Sequence, residues 1–94
     1  MQLNVVTYDV SDDRRRERLA TLLSGYGPRV QLSVFECMLR SKDELQDLRA
    51  KIREIVDTQE DQVRMYNVSK EAMDQAYIIG AREIEERRDF WLIR

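Results

Sequence analysis

Residues 3–8, LNVVTY, constrain the fold more than any other stretch, because they place apolar side chains on both faces of an extended segment. Leu3 and Val5 lie on one face, Val6 and Tyr8 on the other. A strand covered on both faces belongs in the interior of a sheet. It ends at Asp9. Two more acids follow, Asp12 and Asp13, and then four arginines, Arg14, Arg15, Arg16 and Arg18. Ser11 or Asp12 is placed to cap a helix whose Leu19, Leu22 and Leu23 form a buried stripe. GYGP at 25–28 ends that helix.

Residues 29–39, RVQLSVFECML, form a long alternating run, and a bend near Ser33 is expected to split it into two strands. Ser41 and Glu44 form a capping box for a second helix with a stripe of Leu45, Leu48, Ile52, Ile55 and Val56. Residues 62–68 alternate as a further strand, and AYII at 76–79 reads as a short one ending at Gly80. Residues 81–89 read as a charged helical turn or loop, and FWLI at 90–93 as an apolar terminal strand suited to an interface or a sheet edge. The order predicts an α+β ferredoxin-like sandwich, an antiparallel sheet with two helices on one face plus a short C-terminal strand, as one domain over 1–94. A core this small favours a homodimer.

Composition narrows the chemistry. The chain has no histidine, which excludes a Ser-His-Asp triad, a histidine base and the usual zinc sites. Any catalysis therefore falls to carboxylates and a hard cation. The net charge of −2 is no global nucleic-acid signature, so phosphate contact must use a local patch. One cysteine, Cys37, fits a reducing cytoplasm, and neither a signal peptide nor a membrane span is expected.

Asp9 has two readings, a strand-end turn residue or a Mg²⁺ ligand. A single carboxylate is a poor site, but a two-fold dimer would bring a second Asp9 to the axis. Two facing carboxylates repel, which a shared cation relieves. The arginines at 14–18, with Arg29 nearby, read either as a solvated helix face or as a phosphate clamp. From residue type alone, Ser33 is a strand residue and Phe35 a core residue, and Cys37 is a small core residue.

Residues 5–37, VVTYDVSDDRRRERLATLLSGYGPRVQLSVFEC, closely resemble the signature of the second core CRISPR-associated protein family, Cas-two. The resemblance implies a ferredoxin-like homodimer and a Mg²⁺-dependent nuclease, with Mn²⁺ as the alternative ion, whose metal sits between the two copies of Asp9. It implies the CRISPR integrase, Cas-one, as partner in spacer acquisition, with RNA or DNA phosphates as the contacted groups. It places Arg16, Arg29, Ser33 and Phe35 at the family's cleft. Three other roles compete: a non-catalytic spacer between integrase subunits, a toxin-like ribonuclease, and an RNA-binding module with Phe35 and Tyr66 as a stacking platform.

Overall fold

The structure is a computed structural model and describes residues 1–80. Its elements are β1 (Gln2–Asp9), α1 (Asp13–Ser24), β2 (Arg29–Gln31), β3 (Val34–Leu39), α2 (Lys42–Ile55), β4 (Gln62–Val68) and α3 (Lys70–Asp74). The four strands form one sheet in the order β2-β3-β1-β4, every neighbouring pair antiparallel. Each long helix thus spans a gap that a third strand fills, which is the ferredoxin-like arrangement. The two-faced apolar pattern of β1 does place it inside the sheet, between β3 and β4.

Local chemistry sets the element ends. Asp12, the second of the two cap candidates, accepts the Arg15 N–H at 2.9 Å, and Asp13 lies in the first turn, where the helix dipole favours an acid. Ser41 accepts the Glu44 N–H at 3.1 Å. The Glu44 carboxylate closes the box one residue further back than usual, on the Arg40 N–H at 2.7 Å. That bond, with help from the Arg40 guanidinium, holds Glu44 below the usual carboxylate range. The expected bend near Ser33 is present: the β2–β3 register shifts between Arg29 and Gln31, and the chain turns through residues 32–33.

The core lies between the helices and one sheet face. Val6 and Tyr8 of β1 and Phe35, Cys37 and Leu39 of β3 meet Leu19 and Leu23 of α1 and Leu48 and Ile52 of α2. Leu45, Ile55 and Val56, the rest of the expected α2 stripe, pack on it partly buried. Burial pushes the Cys37 thiol up to about 12, helped by the nearby Glu36, so Cys37 stays a neutral core residue.

The 76–79 strand is not formed. The chain instead makes α3 under a Ser69 cap, whose hydroxyl accepts the Ala72 N–H at 3.1 Å, and then leaves Tyr77 and Ile79 each 84% exposed. The apolar AYII pattern suits a strand, but it pairs with neither edge of the chain's own sheet. The expected elements at 81–89 and 90–93 lie outside the described residues.

One glycine is sterically required. A Cβ on Gly27 would sit 1.8 Å from the Glu36 carbonyl oxygen, because the 25–28 turn lies directly on the β3 backbone. Glu36 N–H donates to Pro28 O at 3.0 Å and Met38 N–H to Tyr26 O at 3.0 Å across the same contact. Gly27→Ala is expected to cost about 3 kcal/mol, the upper range for overpacking. Denaturant unfolding checks this, with Gly25→Ala as the comparison. At that position the nearest atom is 3.4 Å away, so the loss there should be much smaller.

Candidate functional site

Asp9 is the last residue of β1 and pairs with Gln62, the first of β4. Side chains alternate along a strand, so Asp9 projects with Val5 and Thr7 onto the sheet face opposite the helices, while Tyr8 points into the core. Asp9 is exposed, and its carboxylate takes no hydrogen bond or ion pair from the described residues. Its backbone, by contrast, is held on several sides. Tyr8 N–H donates to Ser33 O at 3.1 Å, and the Tyr8 hydroxyl donates to Leu32 O at 3.3 Å. Arg16 Nη1 donates to Val10 O at 3.0 Å and to Ser11 O at 3.4 Å, and its Nη2 pairs with Asp13. The rigid strand end therefore presents an unengaged hard-oxygen donor.

That donor suits Mg²⁺ chemically, since this ion takes one or two carboxylates and keeps several waters. No group of three or more Cys, Asp or Glu side chains gathers anywhere among the described residues. Among the described residues, Asp9 is thus a lone carboxylate at this strand end.

A separate cleft of about 650 Å³ opens at the same end of the sheet but on the helix side. Arg16, Arg29, Ser33 and Tyr8 line it, together with the acids Asp13 and Glu17. The Arg29 guanidinium carbon stands 5.2 Å from the centroid of the Phe35 ring, a cation–π contact. Phe35 stacks in turn against Tyr8, with centroids 6.3 Å apart. Arg29 Nε is buried without an acceptor among the described residues. Arg16, Arg29 and Ser33 thus share one cleft, and Phe35 adjoins it through Arg29. Phe35, however, is 1% exposed and lies beneath Arg29, so it offers no stacking platform for bases.

The arginine run does not act as one cluster, because successive helical residues point about 100° apart. Arg14 and Arg18 are exposed on α1, and Arg18 borders a shallow groove with Thr21, Leu22 and Ile55. Arg15 turns the other way. Its Nε and Nη2 donate to the two carboxylate oxygens of Asp61 at 2.8 and 3.2 Å, a fork on a side chain with no solvent exposure. The clamp expected at Arg15 is committed to this internal pair, because a buried carboxylate requires a cation. Asp61 also accepts the Asp57 N–H at 2.9 Å. Arg15 first, then the Asp57 amide, lower the Asp61 carboxyl from its ordinary value. Arg15 is raised in turn by the bond to Asp61. Sequence reading missed Asp61: it closes the acidic DTQED loop, 46 residues from its partner, and no spacing rule connects them.

Together these features define a ferredoxin-like α+β domain with a strand-end carboxylate and, beside it, a cleft lined by two arginines and two acids. The family model described as "CRISPR associated protein Cas2" matches residues 1–76. The chain is 48% identical over 80 residues to "CRISPR-associated endoribonuclease Cas2 3" of Synechocystis sp., covering 85% of this chain and 86% of the relative. It is 43% identical over 88 residues to "CRISPR-associated endonuclease Cas2 2" of Thermus thermophilus, covering 94% and 92%. A chain in the solved structure "Partial Cas6-RT-Cas1--Cas2 complex" superposes with a TM-score of 0.75 at 33% identity, covering 95% of this chain and 96% of that one. This chain belongs to the Cas2 family.

The buried pair predicts a pH signature. A carboxyl held low in the folded state adds stability above its unfolded value of about 3.9, and that stability is lost as pH falls through the folded value. Asp61→Asn should lower the melting temperature at neutral pH by roughly 10 °C. The gap to wild type should narrow below about pH 4. Calorimetry from about pH 2 to pH 7, which spans the unfolded value and the range below it, checks both the sign and the window.

Proposed function

We propose that this chain serves the spacer-acquisition stage of CRISPR antiviral defence as a homodimeric, metal-dependent endonuclease. Each protomer contributes Asp9 to one Mg²⁺ site on the two-fold axis, with Mn²⁺ as the substitute ion. The observation that carries this reading is Asp9 itself, an unengaged carboxylate on a strand end whose backbone is fixed on several sides. The names of the relatives support nuclease chemistry, one as an endoribonuclease and one as an endonuclease.

A hard divalent cation held there supplies Lewis acidity toward a phosphodiester oxygen. The chain's own residues do the rest. Asp9 holds and orients the ion through a charged oxygen. The cleft on the other side of the strand end anchors the polyanion. Arg29 suits that role because stacking on Phe35 fixes its guanidinium plane, and phosphate is matched by a planar, bidentate donor. Arg14 and Arg18 add exposed positive charge along α1. Arg16 contributes by holding the loop carbonyls as well as by lining the cleft.

A second reading has its own support. A chain of the same fold stands in a complex whose description includes Cas1, which fits a dimer that bridges integrase subunits without cutting. Asp9→Asn separates the two. Purified Asp9→Asn protein should keep its fold and dimer but lose metal-dependent cleavage by at least about a hundredfold. Integration with the partner integrase should fall with it if cleavage is used there. Cleavage at the wild-type rate would exclude the catalytic reading, and intact integration would then favour the bridge.

Arg29→Ala should weaken binding to unrelated sequences alike, since phosphates carry no sequence code. Its log–log salt dependence should become shallower by about one unit. Fluorescence anisotropy at several salt concentrations measures both. A parallel slope would remove Arg29 from the phosphate contacts.

A further inference from the structure

One buried carboxylate lies outside the strand-end donor and its cleft, yet stands directly behind them. Asp61 immediately precedes Gln62, the residue paired with Asp9, and its side chain is 0% exposed. It binds Arg15 in the first turn of α1 through two bonds and the Asp57 amide through a third. We infer that Asp61, acting with Arg15, is a positioning residue for Asp9: the pair locks the start of β4 to the start of α1 and so fixes where the strand end projects its carboxylate. The inference rests on the proposed role of Asp9.

The geometry has few alternatives for that task. The Asp9 carboxylate has no partner among the described residues, so what the fold fixes is the backbone from which it projects. That backbone continues into the 10–12 loop and pairs sideways with β4. Arg16 restrains the loop through Val10 O and Ser11 O. The β4 pairing is with Gln62, and Gln62 is anchored through Asp61. The 57–61 turn is closed on itself by Asp61 N–H to Asp57 O at 2.7 Å and Gln59 N–H to Asp57 Oδ1 at 2.8 Å, so it moves as one piece with Asp61. Symmetry sharpens the demand. Any shift of one strand end is repeated by the other copy, so an error in the carboxylate separation is doubled. Displacements near 1 Å at reacting groups cost on the order of a hundredfold in rate.

A pair that merely stabilised the fold would act differently. Its loss would raise the opening of the whole core and leave the folded fraction fully active. The test therefore uses Asp61→Asn and Arg15→Lys, with Lys70→Ala as a remote surface control. Native-state amide exchange is read in the full-length dimer, and cleavage kinetics are measured at a temperature where every variant is folded. Exchange at residues 9–11 and 62 should rise roughly tenfold more than at Val5 and Val6 in the centre of β1. The kcat of Asp61→Asn should fall roughly tenfold to a hundredfold while KM stays within about threefold. Arg15→Lys keeps the charge but not the fork and should fall between the two.

Two results overturn the inference. One is exchange at the strand end that rises no more than at Val5 and Val6. The other is a folded Asp61→Asn protein with wild-type kcat while Asp9→Asn is inactive. Wild-type cleavage by Asp9→Asn identifies a different failure, that of the Asp9 role itself, and the inference falls with it.

Discussion

The functional end of this molecule depends on the double pairing of β1. Its register with β3 runs from Gln2 opposite Leu39 to Thr7 opposite Val34, and its register with β4 runs on to Asp9 opposite Gln62. The β3 pairing stops two residues before the β4 pairing does. Asp9 is therefore carried by β4 on one side, with the 32–33 turn alongside on the other. The same arrangement explains why the flanking groups serve the backbone: Ser33 O, Leu32 O and Arg16 each bond to atoms of residues 8–11.

Strand alternation then divides the chemistry between two faces. Tyr8 turns inward and forms one wall of the Arg29 cleft, whereas Asp9 turns outward onto the uncovered face. The acid and the guanidinium cleft share a strand end but not a surface. In the proposed function they take separate tasks, one on the cation and one on the phosphate backbone. The division also prevents Arg29 from neutralising Asp9, which would spend both charges on each other, as happens between Arg15 and Asp61.

Much of this was legible in the sequence because it depends on local periodicity. LNVVTY marked the central strand, the leucine spacing marked both helix stripes, and the bend near Ser33 followed from a run too long for the sheet. Asp9 stood out because it follows an apolar strand directly. The pairing of Arg15 with Asp61 was not legible, because it joins two segments that become neighbours only when β4 lies beside β1. The four arginines at 14–18 looked like one patch in one dimension and separate once wound on a helix. AYII at 76–79 failed for a related reason. Its pattern states that it is apolar, but pairing also needs an available edge in register, and Tyr77 and Ile79 remain exposed. Among the described residues no helix is long and apolar enough to cross a membrane.

The central claim is that one chain carries half of a cation site. The stoichiometry of Mn²⁺ binding, read by titration calorimetry or by electron paramagnetic resonance on the intact protein, tests it most directly. The account predicts one tightly bound ion for every two chains, lost in Asp9→Asn protein. One ion per chain, or an unchanged site in that variant, would contradict it.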